Sequence, residues 1–123
     1  MHDGPSAKEL IEAVKAFIDK SAAPQLTGHA AFHARVASNA LATVLRELEI
    51  RPAAEAAEKL RLEALLGTTG ASANELNQKL CEAIRNGSMD LSTNGLLPHL
   101  KSTTIDQLSV DQPGYSGLKS AAR

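Results

Sequence analysis

From His29 to Arg51 the chain contains neither glycine nor proline. The segment HAAFHARVASNALATVLREL within it carries the helical apolar spacing that predicts one long second helix, from about Gly28 to Ile50. Pro52 marks its expected end, because proline disfavours helical geometry at Arg51 and lacks a backbone donor. In a chain of 123 residues, a rod of this length dictates the plan: the other segments pack along it.

The composition points to the same class. Aromatic residues make up only 2% of the chain, with no Trp, one Tyr and two Phe, so the interior is filled by Ala, Leu, Ile and Val, which suits close helix packing. The expected fold is all-α, a single-domain bundle of about five helices over residues 1–123 with a long central second helix and a flexible tail from about residue 116. Hydrophobic content of 43% and charged content of 22% are those of a folded domain. A net charge of −1 and the scarcity of aromatic side chains argue against a nucleic-acid partner. No apolar run approaches the roughly 20 residues of a membrane span. A lone Cys81 and the lack of a basic-then-apolar opening lead us to expect a cytoplasmic protein.

Ser6 and Glu9 form the pattern of a capping box ahead of a first helix whose apolar positions are Leu10, Ile11, Val14, Phe17 and Ile18, with an end near Ala23. After Pro52 a third helix is expected to pack through Ala57, Leu60, Ala64 and Leu65 and to stop at Gly67. A second capping box, Ser72 with Glu75, opens a helix striped by Leu76, Leu80 and Ile84. A fifth, capped by Thr93 or Asn94, is expected to face inward through Leu97, Leu100, Thr104 and Leu108.

Two groups of residues in the second helix are candidates for chemistry. His29 and His33 stand one turn apart, the spacing by which paired histidines hold a metal, yet Ala30 occupies the position where zinc peptidases place their glutamate base. Helical projection puts His33 among Val36, Ala37, Ala40, Leu41, Val44 and Leu48, so burial in a core is the favoured role for it. Arg35, Asn39, Thr43 and Arg46 share another face, where two guanidiniums could grip a phosphate or carboxylate. A packed polar seam against neighbouring helices, or a solvated face, accounts for that stripe more simply and is favoured. GTTGAS lacks the lysine of a phosphate loop, and no Gly-x-Ser-x-Gly elbow is present. Nothing in the sequence calls for a cofactor.

FHARVASNALATVLREL, together with PSAKELIEAVKAFI before it and LCEAIRNG, LLPHLK and DQPGY after it, resembles a small bacterial family of unknown function. Its members are encoded beside, or fused to, aminoglycoside-phosphotransferase-like kinases, often with an acyl-CoA dehydrogenase nearby. Where that family carries Asn-Pro before the late tyrosine, this chain has Gln112-Pro113. The family supplies no catalytic residue to carry over. The resemblance implies a non-catalytic accessory or interaction domain with such a kinase as partner, in acyl-CoA metabolism; Ala- and Leu-rich helices also make a homodimer a reasonable expectation. The alternative is a metabolite-binding or metal-dependent helical enzyme using Arg35, Asn39, Thr43 and Arg46, with His29 and His33 as metal ligands or as acid and base.

Overall fold

The computed structural model describes residues 3–122. Ser6 is extended and its hydroxyl accepts from the Glu9 amide at 3.2 Å, opening α1 (Ala7–Phe17). The chain then passes through one π turn (Ile18–Ala22) and one 3-10 turn (Ala23–Gln25). Next comes α2 (Gly28–Leu66), followed by α3 (Ala73–Arg85), α4 (Leu96–Asp111) and a short α5 (Leu118–Ala121). No strand occurs among the described residues, so the all-α class with five helices and a long second one is what the chain adopts.

That second helix is longer than expected. Pro52 does not end it; the segments read as helices two and three are one continuous helix of 39 residues with Pro52 inside. An interior proline costs a helix about 3 kcal/mol. Opposing that cost, Ala53, Ala54, Ala56 and Ala57 are the strongest helix formers available, and Arg51 pairs with Glu55 one turn on, at 3.6 Å. The stop comes at Gly67, as its position implied: with φ of +65° it takes the left-handed conformation that side chains resist, and its amide donates to the Glu63 carbonyl at 2.9 Å.

Contacts divide the chain into two compact units, Met1–Glu49 and Ile50–Arg123; the boundary falls within α2. In the first unit α1 and the early part of α2 form an antiparallel hairpin. Lys8 bridges to Glu49 at 3.4 Å, and the Ser38 hydroxyl donates to the Asp19 carboxylate, so the two start and end contacts each join positions that add to 57. Extending these two pairs by helical spacing gives a facing line of Lys8, Ile11 and Lys15 on α1 and Asp19 and Ala22 in the π turn. On α2 it is Ala31, Ala34, Ser38, Ala42, Leu45 and Glu49. Both lines step by three and four residues, the spacing of coiled-coil seams, and the alanines and Ser38 let the rods approach closely.

The second unit has a core. Leu62, Leu76, Leu80 and Leu96 are buried together, with Leu66, Ala71 and Met89 packed against them. The capping box at Ser72 and Glu75 forms in both directions, at 3.0 and 3.2 Å, and turns Leu76 and Leu80 inward as their spacing implied. Ile84 stays 43% exposed. α4 departs from expectation in two respects. It is entered not from a Thr93 or Asn94 cap but from Gly95, left-handed at φ of 87°; Thr93 instead accepts the Asp90 amide at 2.9 Å, closing the turn before it. Its inward line is Leu96, His99, Thr103, Asp106 and Val110, while Leu97, Leu100 and Thr104 are exposed. α2 likewise points Ala54, Glu58, Arg61 and Leu62 inward and leaves Ala57, Leu60 and Ala64 exposed.

Candidate functional site

In the hairpin, the register decides what each side of the pair displays. Leu10 and Val14 each precede a position on the seam by one residue, and Phe17 lies two before Asp19, turned away from the seam; Ala37, Leu41, Val44 and Leu48 each precede a seam position on α2. One residue is about 100° of rotation, and in antiparallel helices equal offsets fall on the same side. Leu10 with Leu48, Val14 with Val44 and Phe17 with Leu41, each adding to 58 against the register of 57, then lie within one residue of level across the hairpin. Leu10, Val14, Phe17, Val44 and Leu48 are 41 to 62% exposed. The broad apolar face of α2 expected to be core is therefore solvent-facing, except for Leu41, which is half-buried.

Arg35, Asn39, Thr43 and Arg46 each follow a seam position by one residue, so the structure brings them together on the opposite side of the hairpin. Arg46 donates to the Thr43 hydroxyl at 3.1 Å, and that hydroxyl donates to the Asn39 carbonyl at 3.1 Å. Arg35 and Asn39 are exposed; Thr43 and Arg46 are half-buried. His29 and His33 are both exposed, which corrects the expectation that His33 lies in a core: its neighbours Val36, Ala37 and Ala40 are themselves in solvent. The His33 ring meets the Phe32 ring edge-on, with centroids 5.5 Å apart. No cluster of three or more His, Cys, Asp or Glu able to hold a metal ion occurs among the described residues.

Asp19 ties the hairpin together. Its carboxylate accepts from Lys15 at 2.7 Å and from Ser38. These two bonds, Lys15 first, hold its pKa below the ordinary carboxylate value against the opposing effect of desolvation.

In the second unit lies a polar cluster that the sequence does not bring together. Arg61 donates from Nε to His99 Nδ1 and from Nη2 to Thr103 Oγ1, both at 3.2 Å. His99 is 2% exposed. Because Nδ1 accepts, the proton of the neutral ring resides on Nε2. Burial, then the positive charge of Arg61, push the His99 pKa below its ordinary 6.5, with Glu58 opposing. The cluster borders an open cleft of about 470 Å³, lined also by Leu65, Asn94, Gly95 and Ser102. Among the described residues every buried side-chain nitrogen or oxygen has a partner, so the cluster satisfies itself and joins α2 to α4. The signal that would have revealed it is the three- and four-residue spacing of Leu96, His99, Thr103 and Val110, which is visible only when polar residues are allowed on an inward line.

Cys81 is exposed and free. No helix among the described residues is long and apolar enough to cross a membrane. The sequence pattern of the family described as Domain of unknown function (DUF6285) matches residues 24–115, from the 3-10 turn to Tyr115. No curated protein and no solved structure matches the chain.

Proposed function

We propose, for a chain that belongs to the DUF6285 family of domains of unknown function, that it is a non-catalytic accessory module acting through protein–protein contact. The observation that carries this reading is the apolar side of the hairpin: Leu10, Val14, Phe17, Val44 and Leu48 stand exposed on a two-helix unit. Contiguous apolar patches beyond a few hundred Å² mark interaction surfaces on folded proteins. The resemblance noted in the sequence supplies the context, an aminoglycoside-phosphotransferase-like kinase as partner in acyl-CoA metabolism, in the cytoplasm. Self-association into a homodimer is a second use of the same kind of surface.

Co-expression of the tagged chain with such a kinase tests the association. Co-purification at a fixed ratio, with altered kinase KM or kcat, is the expected result. Loss of the kinase on washing, together with unchanged kinetics, overturns it.

A second reading rests on the bonded series Arg46, Thr43 and Asn39, which together with Arg35 would suit a phosphorylated or carboxylated metabolite, with His29 and His33 one turn apart at the head of the same helix. Ligand-dependent melting and metal analysis separate it from the first. A rise in Tm with phosphate esters that Arg35→Ala and Arg46→Ala both abolish would favour it.

A further inference from the structure

We propose that the occupant of the hairpin's apolar face is a second copy of this chain, the two hairpins closing about a twofold axis into a four-helix bundle; this rests on the docking reading above and names the partner of that surface. Three observations converge on it. The first is that the hairpin has no interior of its own. Among the described residues of Met1–Glu49 no apolar side chain is buried, and the one buried residue is Ser38. Two helices present only a seam to one another, and two such hairpins set face to face make a four-helix bundle whose apolar sides enclose a core.

The second is the charge of the face. Residues preceding the seam, Ala7, Leu10, Val14, Ile18 and Ser21 before and within the π turn and Ala30, His33, Ala37, Leu41, Val44 and Leu48 on α2, include no acid, lysine or arginine and one histidine, His33. An isologous interface sets each patch against itself, so any net charge on it would repel its own copy. Here the charged residues Glu9, Glu12, Lys20, Arg35 and Arg46 follow the seam on the opposite side. A partner of different chemistry would select a complementary charge pattern, and this face has none to offer.

The third is size. Five large side chains near half exposure, with the alanines and half-buried residues between them, offer on the order of 600 Å² per copy, or about 1,200 Å² for the pair, which reaches the range of specific interfaces. The rungs Leu10/Leu48, Val14/Val44 and Phe17/Leu41 supply layers of the kind that bundle cores stack. Rotation about a twofold axis sets each rung against an equivalent one.

Sedimentation velocity or light-scattering chromatography of the full chain across a dilution series tests this, with Phe17→Glu and Val44→Glu on the face and Leu91→Glu, 80% exposed in the second unit, as control. The expected outcome is a dimer for the wild type and for Leu91→Glu. Each face variant is expected to lose roughly a hundredfold or more in dimer affinity, since each buries an unpaired carboxylate twice in the symmetric interface. Helix content by circular dichroism shows whether the variants are folded. Hydrogen exchange of the wild type supplies an independent check, with protection of residues 7–22 rising with concentration. A wild-type dimer that both variants leave intact overturns the proposal, as does a monomer at every concentration. If the monomeric chain still binds the purified kinase and Val44→Glu abolishes that binding, the second copy is excluded while the docking surface stands. A monomer whose kinase binding ignores both variants sinks both.

Discussion

The two units of this chain use leucine and alanine in opposite ways. In Ile50–Arg123 three helices surround Leu62 and Leu76, both with no exposed surface, and Leu76 and Leu80 of α3 turn inward. In Met1–Glu49 two helices meet along alanines, Ser38, Ile11, Leu45 and charged ends, and Leu10, Val14, Phe17, Val44 and Leu48 look out. The contrast follows from helix number. A helix with an apolar stripe can bury it only where neighbours lie on that side, and a hairpin supplies one neighbour to each helix. Surplus apolar area on the smaller unit is thus a consequence of its architecture, and its use lies in what covers it.

Substitution gives the sharpest way to break this comparison. Leu62→Ala should destabilise the second unit by about 2–5 kcal/mol, the cost of a large-to-small change at a sealed site, read by denaturant unfolding. Val14→Ala in dilute monomer should change stability by no more than about 0.5 kcal/mol. Equal losses from the two would mean that the hairpin has a core of its own. Next in size, Arg61→Ala leaves His99 Nδ1 and Thr103 without their donor and should cost about 1–3 kcal/mol. It also removes a nearby positive charge, so the His99 pKa measured by NMR should move back up towards 6.5.

Acid separates the units in a different manner. The folded His99 pKa lies below its unfolded value of 6.5, so above 6.5 neither state takes up the proton. As pH falls below it the unfolded chain binds the proton first, and the second unit loses stability until the folded pKa is passed. Asp19 also has a depressed pKa. Its contribution to the hairpin is complete above the ordinary carboxylate value of 3.8 and is lost as pH falls through its lower folded value. Amide exchange should therefore show the second unit weakening at mildly acidic pH while the Asp19 contribution persists to stronger acid; Asp19→Asn should remove the later step alone. The smallest effect belongs to the end of the hairpin. Lys8 and Glu49 are 47 and 64% exposed, and Glu49→Gln should alter stability by no more than about 0.5 kcal/mol, an effect that added salt should shrink further.

How far the fold can be read from the chain depends on the range of the interaction involved. Ser72 with Glu75, Gly67, and the Leu76–Leu80 stripe are local devices and behave as their spacing implies. Pro52 was misleading because its penalty is local too, whereas what offsets it is spread over the alanines and the ion pair around it. The inward line of α4 was missed by one residue. Hydropathy ranks Leu97 and Leu100 above His99 and Thr103, but Arg61, 38 and 42 positions away, satisfies both polar groups and makes their burial tolerable. The four residues of the polar stripe in α2 were correctly grouped on one face, since helical rotation alone decides that. Their neighbour across the hairpin was not legible at all.

Helical content, the stops at glycine and the caps at serine were thus determined by the sequence by itself, because each depends on residues within about one turn of one another. Which apolar stripe is sealed and which is left bare, and where His99 finds its donor, were decided only by the tertiary structure. These depend on register between distant segments, which pairs such as Lys8 with Glu49 and Asp19 with Ser38 report and no local rule identifies.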